Sequence, residues 1–159
     1  MMETTVSSSP NNLFCLIRKE WVKQTPEECV RQKTLSSLLT LGYPASLIVV
    51  ERKIAQLPHL VAQNQKLPNR RIDIVAYQAK GASPLLIVEC KVKPISSAQL
   101  RQTLGYNFYI GAKALLLAST NEMQIVDCKG DVISCFRNIP SYQDLCSLFD
   151  GCIIKHNKN

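Results

Sequence analysis

The spacing of apolar positions changes several times along the chain, and each change marks a different element. Apolar residues at Leu13, Phe14, Leu16, Ile17, Trp21 and Val22 predict a short helix or packed arm ahead of the main domain. Thr25-Pro26-Glu27-Glu28 then offers a capping hydroxyl, a proline at the first helical position and a glutamate three residues after the cap. That arrangement satisfies the free N–H groups of a helix start. A helix is expected over residues 26–41, with Val30, Leu35, Leu38, Leu39 and Leu41 as its apolar side and Gly42 with Pro44 as its stop.

Beyond Ala45 the runs become short and β-branched. Residues 47–50 predict a strand continuing toward Ile54, and residues 71–77 and 85–91 predict two more. The short polar turn Gly81-Ala82-Ser83 joins the last two, so they are expected to form an antiparallel hairpin. Residues 55–70, with Pro58 and Pro68, hold no steady period and read as a long loop. After Pro94, Leu100, Leu104 and Phe108 recur four apart and predict a crossover helix over 96–110. Strands are expected at 114–118, 124–128 and, after the turn Lys129-Gly130-Asp131, at 132–136; a last helix capped by Ser141 runs to Phe149. The order predicts an α/β domain over 13–150 with a mixed central β-sheet flanked by helices. A disordered tail is expected at 1–12 and a polar one at 151–159.

A chain of 159 residues suits one compact domain. Its longest apolar runs fall far short of the roughly 20 residues of a membrane span, so no membrane association is expected. The polar, Ser-rich start has no basic opening followed by an apolar stretch, which predicts an intracellular, cytoplasmic protein. The seven cysteines form no C-x-x-C pair and no zinc spacing with His59 or His156, and read as reduced thiols, mostly in the core. The formal charge of +7 favours a polyanionic partner.

Three ionisable residues stand on otherwise apolar strands: Asp73 in RRIDIVAY, and Glu89 and Lys91 in LLIVECK. Burying a carboxylate costs several kcal/mol unless a cation or hydrogen bonds replace its water. Strand alternation turns Glu89 and Lys91 to one face and Cys90 to the other. If the hairpin brings Asp73 beside them, two carboxylates, an ammonium and the backbone carbonyl of Cys90 converge. Hard oxygen donors of that kind suit Mg²⁺ or Mn²⁺. The plainer alternative is an intrasheet ion pair without metal.

Asp73 followed sixteen residues later by Glu89-Cys90-Lys91 resembles the D…E-x-K signature of the PD-(D/E)xK nuclease superfamily. TPEECVRQ, LGYPASLIVVE, RRIDIVAY, PLLIVECK and QTLGYN, in that order, resemble the N-terminal nuclease domain of type I restriction endonuclease R subunits and its stand-alone bacterial relatives. The resemblance implies a restriction-endonuclease-like core and Mg²⁺-dependent (or Mn²⁺-dependent) hydrolysis of nucleic acid phosphodiesters, DNA more than RNA. By the same resemblance Asp73 and Glu89 are metal-binding carboxylates, Lys91 orients the attacking water, and Glu28 is an accessory carboxylate, with Glu27 as its competitor. Gln102 and Tyr106 match a Q-x-x-x-Y element beside the site, though an exposed polar residue and a core aromatic would look the same.

Arg70 and Arg71 lead into the Asp73 strand and are expected at the rim where a phosphate backbone passes, or as solvated loop charges. Trp21 reads as a packing anchor, and His59 has no partner in the sequence. The chain departs from the family twice. Ser119-Thr120-Asn121-Glu122 stands where relatives carry Thr-Asn-Gly, and no G-x-x-x-x-G-K-[ST] loop occurs, so a motor or a specificity function is expected on separate subunits. The rival expectations are a catalytically silent nucleic-acid-binding or complex-forming module with the same fold, and a purely structural subunit.

Overall fold

A computed structural model describes residues 10–150; the expected polar tail at 151–159 and most of the one at 1–12 lie outside the described residues. The leading arm is a β-hairpin, not a helix. β1 (Asn12–Cys15) and β2 (Glu20–Lys23) pair antiparallel, with Leu13 opposite Val22 and Phe14 opposite Trp21. Of the apolar positions, Leu13 and Phe14 lie on β1, Trp21 and Val22 on β2, and Leu16 and Ile17 in the turn between them; the Phe14 and Trp21 rings meet edge to face at 5.4 Å. Lys19 closes the turn at φ 53° by donating its N–H to Cys15 O at 2.7 Å, without the glycine that would have announced a hairpin.

Helix α1 (Pro26–Thr40) begins where its cap predicts: Thr25 Oγ1 accepts the Glu28 N–H at 3.1 Å. It ends at Gly42 (φ 85°), with Tyr43 N–H donating to Leu38 O and Gly42 N–H to Leu39 O, the double bond pattern of a Schellman stop.

Five strands make the central sheet, and their spatial order follows the chain: β3 (Ile48–Lys53), β4 (Arg71–Tyr77), β5 (Pro84–Cys90), β6 (Ala114–Ala118) and β7 (Met123–Asp127). All neighbours are antiparallel except β5 and β6, which are parallel and joined by the crossover helix α2 (Ser97–Ile110). Every residue of β5 and β6 is buried, which explains their uninterrupted apolar runs. Ser96 and Gln99 cap α2 reciprocally, and Gly111 at φ 76° ends it.

Helix α1 and the last helix, α3 (Tyr142–Phe149), cover one sheet face, packing Val30, Leu35, Leu38 and Leu145 on Leu86, Val88, Cys90 and Leu116. The other face carries α2 and the 54–67 segment, where Ile54, Leu57 and Leu60 bury themselves against Val75, Ile87 and Leu115. This α/β sheet flanked by helices is a restriction-endonuclease-like core. His59 pins the long loop: its ring nitrogens lie 2.9 Å from Tyr77 Oη and 2.8 Å from Ile110 O.

Other expectations are corrected. Residues 132–136 form no strand; a single bridge joins Val132 to Val126, and only Ile133 of the run is buried, so pairing would bury little more. Of the six described cysteines only Cys15 and Cys90 are buried, while Cys29, Cys128 and Cys135 are exposed; all six are free thiols. The β6–β7 turn closes without glycine or any positive φ, through Ser119 N–H to Glu122 O at 2.9 Å, and Glu122 Oε1 accepts the Ile95 N–H at 2.5 Å. Among the described residues no helix is long and apolar enough to cross a membrane.

Candidate active site

The register that pairs Ile74 with Val88 sets Asp73 beside Glu89 on neighbouring strands. Lys91 follows one residue beyond the end of β5. The three line one shallow depression of about 240 Å³ with Glu27, Glu51, Arg70 and Arg71. The Cys90 side chain lies in the core beneath α1, as alternation requires.

Glu89 is only 4% exposed. Its Oε2 lies 3.8 Å from both Lys91 Nζ and an Arg70 nitrogen, and its Oε1 is buried with no hydrogen-bond partner. Burial first, and the Asp73 charge second, push the Glu89 carboxyl up to about 8 against the pull of Lys91 and Arg70. Asp73 is held from two sides: Oδ2 accepts the Cys90 N–H at 2.7 Å, and Oδ1 accepts from Arg31 at 2.6 Å. An orphaned carboxylate oxygen beside a second, oriented carboxylate fits a hard divalent cation that keeps several waters. Among the described residues no group of three or more His, Cys, Asp or Glu side chains could hold an ion by itself. Such an ion would therefore rest on two carboxylates, with backbone and water oxygens completing its shell.

The sequence matches the family model of the type I restriction enzyme R protein N terminus (HSDR_N) over residues 26–140, most of the chain. The chain belongs to this family. No curated protein and no solved structure matches it significantly. The family match begins at the first residue of α1, so the β1–β2 hairpin precedes the matched residues.

The structure brings Asp73, Glu89 and Lys91 together, and it takes Glu28 elsewhere. Glu28 is buried between two arginines: it accepts from Arg18 at 2.5 Å and from Arg31, with Gln32 at 2.8 Å. Of the two candidates on α1, it is Glu27 that lines the depression. The cap at Thr25 fixes the first turn, and Glu28 then faces inward while Glu27 stays partly exposed. Arg70 lies at the rim over the Tyr106 ring, 5.3 Å from its centroid, and Arg71 is exposed, 3.8 Å from Glu51. Gln102, one turn before Tyr106 on α2, is exposed, and its side chain makes no hydrogen bond among the described residues. A larger cavity of about 520 Å³ lies apart from this chemistry, between α1 and the β6–β7 turn.

Two residues of the site were not singled out from the sequence. Arg31, 5% exposed, lies among four carboxylates: Asp73, Glu51 at 2.8 Å, Glu27 at 3.5 Å and Glu28. Burial alone would lower its pKa, but Asp73, Glu51 and Glu28 together hold the guanidinium firmly charged. Glu51 sits on β3 at φ 51°. Its carboxyl is raised, by burial first and also by Asp73, despite the opposing pull of Arg31. Arg31 was hidden as an ordinary polar position of a helix, and Glu51 as the first of three charges, Glu51-Arg52-Lys53, that end a strand, so neither stood out.

Proposed function

We propose that this protein is a divalent-metal-dependent nuclease that hydrolyses phosphodiester bonds in DNA more readily than in RNA. The observation that carries the reading is the meeting of Asp73, Glu89 and Lys91 in one depression with Glu89 Oε1 buried and unpartnered. Asp73, Glu89 and the backbone carbonyl of Cys90 would hold Mg²⁺ or Mn²⁺. When bound, such an ion lowers the pKa of a coordinated water and offsets charge on the phosphate. The chain's own residues prepare that site. The Cys90 amide and Arg31 fix the Asp73 carboxylate before any ligand arrives. The Lys91 ammonium, 3.8 Å from Glu89, keeps a positive charge where a transferring phosphate gains negative charge, and orients the attacking water. Arg70 and Arg71 receive the flanking phosphates. We take the site of action to be the cytoplasm, with any motor or specificity element supplied by other subunits.

A second reading, a silent DNA-binding or complex-forming module, draws on one observation: Asp73 is already neutralised by Arg31. Incubation of supercoiled plasmid and of single-stranded DNA with Mg²⁺ or Mn²⁺ separates the two. Cleavage by the wild type that disappears in Asp73→Ala and Lys91→Ala supports the nuclease. Cleavage that survives in both variants, or no cleavage and no divalent-ion binding in the wild type, removes it.

A further inference from the structure

The two flanks of Asp73 differ. Toward Glu89 the site is open: Glu89 Oε1 is buried, has no hydrogen-bond partner and lines the same depression. Toward Glu51 it is closed, because one terminal nitrogen of Arg31 lies 2.6 Å from Asp73 Oδ1 and 2.8 Å from Glu51 Oε1. The other terminal nitrogen is committed to Glu28. Two-metal phosphodiesterases place their ions roughly 3.5 to 4 Å apart, sharing a carboxylate. Here the space between Asp73 and the next carboxylate is filled by a guanidinium, which stays charged at every working pH and accepts no hydrogen bond.

Building on the nuclease reading, we infer that Arg31 is a built-in cation standing where a second divalent ion would bind, so that the protein takes one ion, through Asp73 and Glu89. Arg31 is a positioning residue on this account. It bridges Glu28, Glu51 and the outer side of Asp73, offsetting part of their charge, and it holds Asp73 in place for the single ion. Four carboxylates around one guanidinium would otherwise repel one another or gather cations from solution. A fixed monovalent charge also needs no metal supply to keep Asp73 oriented. Glu51, whose carboxylate meets the guanidinium, has a left-handed φ of 51° and is left out of the β3–β4 pairing.

The test counts ions without any nucleic acid, by Mn²⁺ electron paramagnetic resonance and calorimetry on the purified full chain. Wild type is expected to bind one Mn²⁺. Arg31→Lys, which keeps a positive charge, is expected to bind one, and Arg31→Gln, checked for a cooperative melt, is expected to bind two as Asp73 and Glu51 are released. If Arg31→Gln does not fold, Glu51→Gln serves in its place: it removes a partner of the guanidinium and is expected still to bind one. Two ions on the wild type would overturn the built-in cation and leave the nuclease reading standing, whereas none would remove both. A folded Arg31→Gln with one ion, or Glu51→Gln with none, would also overturn it.

Discussion

Glu51 stands across the β3–β4 ladder from Asp73, in the gap between the paired positions Val50↔Ile74 and Arg52↔Ile72. Its φ of 51° is a left-handed conformation that costs an ordinary side chain roughly 1 to 2 kcal/mol. Glu51→Gly and Glu51→Ala both delete the carboxylate, but only glycine relieves the backbone. The glycine variant is expected to be the more stable by about 1 kcal/mol, a difference of roughly 2 to 4 °C in Tm for a chain of this size. Thermal melts in metal-free buffer decide it, and equal midpoints would mean that no strain is held at this position.

The buried Glu89 carboxyl makes stability depend on pH. Its folded pKa of about 8 lies above the 4.5 of a free glutamate, so between those values the folded chain keeps a proton that the unfolded chain has lost. Stability is therefore highest below pH 4.5, as far as this group is concerned, and falls as pH rises through 8. Glu89→Gln removes that dependence. In the presence of a chelator the variant is expected to match wild type near pH 4.5 and to exceed it by roughly a few kcal/mol at pH 9. Denaturant titrations at the two pH values check this; a variant less stable than wild type at pH 9 would contradict the burial penalty.

Glu28 joins Arg18 of the β1–β2 turn to Arg31 and, through it, to Asp73. Glu28→Gln leaves Arg31 with Asp73 and Glu51 and takes the ion pair only from Arg18, whose side chain is 20% exposed, so its cost is smaller than that of stranding a fully buried charge, about 2 kcal/mol. A fall in Tm of roughly 4 to 8 °C is expected. Mn²⁺ affinity should change by less than about tenfold, the lower bound for losing a direct partner of a metal ligand. Complete loss of Mn²⁺ binding with an unchanged Tm would instead make Glu28 a ligand.

These residues differ in how far the sequence disclosed them. β4, β5 and β6 announce themselves because strands buried on both faces can hold little but apolar side chains, and a charge among them is conspicuous. Asp73, Glu89 and Lys91 were legible for that reason. Arg31 and Glu51 were not, because a charge on a helix or at a strand end is ordinary until tertiary packing supplies its partners. The direction of Glu28 was likewise decided by Arg18, an arginine in a turn whose hairpin carried no glycine signal. Residues 132–136 misled for the opposite reason: β-branched composition suits a strand, but the segment after the turn that ends β7 makes only one bridge to the sheet edge.

Arg70 links the site to the expected path of a nucleic acid. Its guanidinium lies over the Tyr106 ring and 3.8 Å from Glu89, with its side chain about one-third exposed, whereas the Arg71 side chain is mostly exposed. A cation held on an aromatic face is oriented without being neutralised, and the contact is worth roughly 0.5 to 1 kcal/mol at such a site. Tyr106→Phe keeps the ring and is expected to bind DNA as wild type does. Tyr106→Ala frees Arg70 and is expected to weaken binding severalfold, while Arg70→Ala and Arg71→Ala each lower the slope of log K against log salt by about 1. Fluorescence anisotropy across a salt series, in chelator so that nothing is cut, measures both quantities. If Tyr106→Phe bound as poorly as Tyr106→Ala, the hydroxyl rather than the ring face would be the working group, and the stacking geometry would not be what presents Arg70 to phosphate.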